Sequence, residues 1–98
     1  MTFKQIKNGD KLALLIDGKI DTITAPALLE FIQTKLDGVK ELELNLKQVD
    51  YVSSAGLRIF LIAQKIMDKQ GKMFLSHVCE EILETLELTC FTDFLTII

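Results

Sequence analysis

Apolar and polar positions change their period several times along the chain, and each change marks an element. Phe3 to Lys7 and Lys11 to Asp17 flank Asn8-Gly9, a pair that suits a two-residue hairpin turn because both residues tolerate positive φ. In the second of these strands Leu12, Leu14 and Ile16 alternate with Ala13 and Leu15, so both faces are apolar, as in a central strand. Thr24-Ala25-Pro26 opens a helix, with Thr24 as its expected cap and proline in the tolerant first turn. Leu28, Phe31, Ile32 and Leu36 follow at helical spacing, and Gly38 ends the element. Glu41 to Leu46 returns to strict alternation. Ser53 or Ser54 begins a second helix running to about Gln70, closed by Gly71. Lys72 to Leu75 reads as a short strand, and Glu80 to Leu86 as a third helix with Ile82, Leu83 and Leu86 inward. The apolar tail, Phe91 to Ile98, is expected to add a short helix and a last strand. This β-β-α-β-α-β-α order predicts an α/β fold: a mixed sheet of four to five strands, right-handed crossovers, and helices mainly on one face.

Composition narrows the function. A chain of 98 residues has the length of one domain, taken here as 1–98. Eleven basic against 14 acidic residues give a net charge of -3, which offers no footprint for a phosphate backbone, so no direct nucleic-acid partner is expected. No apolar run reaches the roughly 20 residues that cross a bilayer, and the N-terminus lacks the apolar stretch of a signal peptide. A cytoplasmic protein without membrane insertion is expected, with Cys79 and Cys90 as reduced thiols.

The chemistry concentrates in Val49-Asp50-Tyr51-Val52-Ser53-Ser54-Ala55-Gly56-Leu57-Arg58, between a strand and a helix. Free amides at a helix start accept negative charge, so a phosphate there leaves the fold standing while adding about two negative charges to its surface. At 100° per residue Ser54, Arg58, Ile62, Lys65 and Lys69 fall on one strip. Arg58 leans back toward Ser54, within reach of a partner carboxylate or of a phosphate on that serine. On the residues alone two plainer alternatives stay open: a serine that only caps its helix, and a cationic face that only meets solvent.

No catalytic or cofactor pattern competes. A nucleophile elbow centred on Ser54 would place Val52 where glycine is required. His77 is the one histidine, in a predicted loop; with two distant cysteines it makes no zinc site. No glycine-rich phosphate loop is present. The chain is expected to be no enzyme and to hold no cofactor or metal.

Several pieces together resemble the STAS domain of bacterial anti-sigma-factor antagonists. Gly18-Lys19-Ile20-Asp21 is similar to that family's G-x-[LI]-D, Ser53-Ser54-Ala55-Gly56-Leu57 to its D-S-S-G-L motif, and Leu83, Leu86, Glu87, Leu88 and Thr89 to its L-x-x-x-L-x-L-T-G pattern. Thr24-Ala25-Pro26 and Leu42 to Leu46 align with its first helix start and the strand before the switch. Ser53 stands in place of the usual acid, Ala55 in place of the second serine, Asn45 in place of a common Asp, and Cys90 in place of a glycine. The resemblance implies partner switching. The unmodified protein binds an anti-sigma factor that is also a serine kinase, that kinase phosphorylates Ser54 (Ser53 being the neighbouring candidate), and a PP2C-type phosphatase restores binding. ATP belongs to the kinase. The partner-binding residues expected on this basis are Asp21, Thr22, Ser53, Ser54, Ala55, Gly56, Arg58, Ile62 and Lys65, with Gly56 admitting a partner's backbone. A second reading from the same resemblance is a constitutive cytoplasmic subunit of a lipid-transport ABC complex, its serine turn against an ATPase.

Overall fold

The computed structural model describes residues 1–98 and follows the expected element order. β1 (Thr2–Asn8) and β2 (Lys11–Asp17) form the hairpin; α1 (Ala25–Lys35), β3 (Glu41–Gln48), α2 (Ser54–Asp68), β4 (Lys72–Ser76) and α3 (Glu80–Leu88) follow. The strands lie in the order β1-β2-β3-β4, antiparallel at the hairpin and parallel beyond it. Each parallel strand is added on the same side of the one before, so right-handed crossovers carry the helices to one face.

Burial agrees with that layering. Leu12, Leu42 and Met73 lie side by side across three strands, as do Leu14, Leu44 and Leu75, and all are buried. They join Leu28 and Ile32 of α1, Phe60 and Met67 of α2, and Ile82 and Leu86 of α3 in one core. Burying one such side chain stabilises by about 1.5–3 kcal/mol. The opposite sheet face has no helix on it. Ala13 and Leu15, apolar because β2 is central, are only half-buried there beside Glu43, Asn45 and Phe74.

Three sequence expectations shift. The hairpin loop is Gly9-Asp10, not Asn8-Gly9, because Asn8 still pairs with Lys11 and only Gly9 of the two takes positive φ (64°). The tail forms a 3-10 turn (Phe91–Asp93) but no last strand: Ile97 meets Leu75 of β4 in one parallel bridge. Leu83 is half-buried rather than fully inward. Past the end of α3, Cys90 sits in the left-handed region at φ 63°, ψ 19°, a conformation that strains any residue with a Cβ. Cys90→Gly is therefore expected to raise stability by about 1 kcal/mol, seen as a thermal midpoint several degrees higher.

Two loops at the C-terminal ends of β2 and β3 are joined by backbone hydrogen bonds. The register between these strands shifts past Leu15, and Gly18 then donates to Gln48 (3.1 Å), Ile20 to Tyr51 (3.0 Å) and Ser53 back to Ile20 (2.8 Å). The serine turn is thus held against the loop that begins α1.

Candidate protein-docking site at the serine turn

Ser53 is the cap of α2. It has extended backbone, and its hydroxyl accepts from the Gly56 amide at 3.4 Å, the role an acid would fill equally well. Ser54 is the first helical residue and is exposed, whereas Ser53 is half-buried. The amides of Ser54 and Ala55 donate to no group of the chain, which leaves them as unpaired donors at the positive end of the helix. The expected strip exists: Ser54, Arg58, Lys65 and Lys69 are exposed, and Ile62 is half-buried among them.

Gly56 has a different role from the one expected of it. It is buried, and a Cβ there would stand 2.7 Å from both Ile20 Cγ2 and Val52 Cγ1. Its missing side chain serves the internal contact between the two loops and admits no partner backbone.

Asp21 also works inward. Its Oδ1 accepts from the amides of Ile23 (2.9 Å) and Thr24 (3.0 Å), while its own amide donates to Thr24 Oγ1 (2.9 Å). The Thr24 amide is the main cause that holds the Asp21 carboxyl below the usual carboxylate range; the Ile23 amide and the Lys19 charge act in the same direction. Thr24 makes no side-chain cap to α1, contrary to expectation: its backbone is already helical (φ -91°, ψ -24°) rather than extended, and its hydroxyl oxygen accepts from the Asp21 amide while the hydroxyl donates to Lys19 O at 2.8 Å. This closed turn pushes Thr22 and Ile23 outward.

The resulting surface includes residues that sequence periodicity could not single out. Ile23 is 88% exposed and Tyr51 is 49% exposed, with the Lys19 ammonium 6.0 Å from the Tyr51 ring centre. Below them, α1 and α2 part to leave a groove of about 480 Å³, floored by Ala25, Leu29, Ala55, Ile59 and Ile62 and edged by Thr22, Gln33 and Arg58. Of the expected partner contacts, Thr22, Ala55, Arg58 and Ile62 converge on this groove. Lys65 lines its continuation toward Lys69 and Gln70. His77 lies apart, exposed in the loop after β4.

The sequence pattern of the STAS domain matches residues 3–98. The chain belongs to the STAS domain family. It is 29% identical over 92 residues to the anti-sigma-B factor antagonist of Bacillus subtilis, a match covering 93% of this chain and 84% of that one. Among solved structures, an anti-sigma factor antagonist from Mycobacterium paratuberculosis superimposes with a TM-score of 0.87 at 22% identity, over 98% of this chain and 83% of that one. The anti-sigma factor antagonist SpoIIAA in its unphosphorylated form gives 0.78 at 13% identity, over 99% and 87%. Its phosphorylated form from Bacillus gives 0.77 at 12% identity, over 99% and 91%. These likenesses establish the STAS fold for the four-stranded sheet and its three helices. No helix of this STAS domain is long and apolar enough to cross a membrane.

Proposed function

We propose that this STAS protein is an anti-sigma-factor antagonist that binds an anti-sigma factor through the serine-turn edge and releases it when Ser54 is phosphorylated. The observation that carries the mechanism is the exposed Ser54 hydroxyl at the first position of α2, with unpartnered amides beside it and Arg58 one turn later. The named function of the Bacillus subtilis relative supports the partner class. The two SpoIIAA forms support a phosphorylation cycle on this fold.

The physical sequence is short. In the unmodified protein, Thr22, Ile23, Ser54 and the groove below offer an apolar surface without negative charge, and Arg58 at its edge is free to meet a carboxylate of the partner. A kinase, the anti-sigma factor itself, transfers phosphate from ATP to Ser54 Oγ. The phosphate lies at the helix start, where the dipole favours it by about 0.3–1 kcal/mol, and it attracts Arg58 back across one helical turn. The partner then faces a new dianion and has lost its cation. Hydrolysis by a PP2C-type phosphatase returns the first state. The chain catalyses no step, needs no cofactor, and works in the cytoplasm where sigma factors act.

Ser53 is the alternative target, but its hydroxyl is engaged with the Gly56 amide and half-buried. Incubation with the kinase and ATP, followed by fragmentation mass spectrometry, is expected to find phosphate on Ser54 and none on a Ser54→Ala variant. Phosphate on Ser53 in that variant, at the wild-type rate, would contradict the assignment.

A further inference from the structure

The cationic strip of α2 lies beside the groove rather than on an isolated face. From α1 the wall is Ala25, Leu29 and Gln33, spaced four apart and so on one face. From α2 it begins at Ala55 and passes Ile59 and Ile62; past Ile62 a second hollow of about 260 Å³ continues along Lys65, Ile66 and Lys69. From Ala55 to Lys69 this track is about 21 Å long at 1.5 Å per residue, the length of about four turns of a docked helix. Its floor is apolar. Its charged edge is wholly positive, although the chain carries a net charge of -3. No carboxylate lines either stretch. The ion pairs of the chain are Lys11–Glu41 and Lys72–Glu41, so Arg58, Lys65 and Lys69 have no intramolecular acid.

We infer that this track receives an acidic amphipathic helix of the partner, its apolar ridge on Leu29, Ile59 and Ile62 and its Asp or Glu side chains on Arg58, Lys65 and Lys69. The inference rests on the docking role proposed above and adds the chemistry of what docks. A helix laid in a groove reads as apolar anchors at i, i+3, i+4 and i+7, and cations along one edge favour carboxylates one and two turns apart. A second copy of this chain is the rival occupant, because α3 carries Glu80, Glu81, Glu84 and Glu87. However, α3 has already buried Ile82 and Leu86 in its own core, which leaves Leu88 as its one exposed apolar side chain, a single anchor rather than a ridge to lay in the groove.

The test uses the full chain, isotope-labelled, titrated with two designed sixteen-residue helical peptides that share a leucine ridge, one flanked by Glu and the other by Lys. The acidic peptide is expected to shift the amides of Leu29, Gln33, Ile62 and Lys69. Its affinity is expected to fall at least about fivefold in a Lys65→Glu/Lys69→Glu variant whose thermal midpoint is unchanged, and to weaken as salt rises. Equal binding of both peptides, shifts confined to the open sheet face, or no shift would overturn the inference. So would self-association of the chain that the double variant abolishes. The anti-sigma role is read separately: an anti-sigma factor that binds the wild type and the double variant equally would sink the groove and leave that role intact, whereas failure of the wild type to bind one would sink the role whatever the peptides do.

Discussion

Gly56→Ala is expected to lower stability by about 1–2 kcal/mol and to weaken docking at the serine turn with it. The added methyl would stand 2.7 Å from Ile20 Cγ2 and Val52 Cγ1 and 3.2 Å from the Ile20 carbonyl. Overpacking of this kind costs roughly 1–3 kcal/mol, while alanine in place of glycine returns up to about 1 kcal/mol of helix propensity. Relief requires α2 to lift at its start or the Ile20–Val52 bridge to part; either movement carries Ser53 and Ser54 with it. Gly71→Ala is the control for stability alone. Its methyl would fall 1.9 Å from the Lys40 carbonyl oxygen, which is backbone and cannot swing aside, so it is expected to destabilise more, by about 3 kcal/mol or above. Because Gly71 lies at the end of α2 away from the serine turn, any of that protein which remains folded keeps Ser53 and Ser54 in place and should lose less affinity than Gly56→Ala. Denaturant unfolding of both variants, with partner affinity measured on the folded fraction, checks the pair.

Ser54→Asp should weaken binding to the anti-sigma factor roughly tenfold to a hundredfold while the thermal midpoint moves by no more than about 2 °C. At an exposed helix start the carboxylate interacts favourably with the dipole, by less than about 1 kcal/mol, and Ser53 continues to supply the cap. Across the interface the same charge meets the partner. At about 4 Å and with an effective dielectric constant near 20 a like charge costs up to about 4 kcal/mol, and in bulk water about 1. An interface edge lies between these limits, and each 1.4 kcal/mol is tenfold. Ser54→Ala, which adds no charge, should bind as the wild type does and resist phosphorylation. Calorimetric titration of the two variants separates charge from loss of the hydroxyl.

Much of this arrangement follows from spacing within single elements. The leucines of β3 all point one way because they alternate, and the α2 strip is exposed because a period of 3.6 places Ser54, Arg58, Lys65 and Lys69 together. What depended on a second element was not legible. Gly56 looks like an opening for a partner until Ile20 is seen packed against it. Asp21 looks like a free acid until the Ile23 and Thr24 amides close on it, a turn whose only trace in sequence is Asp followed three residues later by Thr. Thr24 looks like a cap, but its hydroxyl oxygen already accepts from the Asp21 amide. The hairpin register moved by one residue because Asn8 has a pairing partner in Lys11. Leu29, Gln33 and Ile59 are ordinary helix residues until α1 and α2 diverge around them. Ile23 is distinguished only by its exposure, which no periodicity covers within a four-residue turn.

The central claim is that one charged group at Ser54 decides whether the serine-turn edge is occupied. Its most direct measurement is isothermal titration of a purified anti-sigma factor with two preparations of this protein, one unmodified and one carrying phosphoserine at position 54. The unmodified protein should bind, and the phosphorylated one should bind at least about thirtyfold more weakly with the same circular dichroism and unfolding midpoint. Equal affinities for the two preparations would contradict the account.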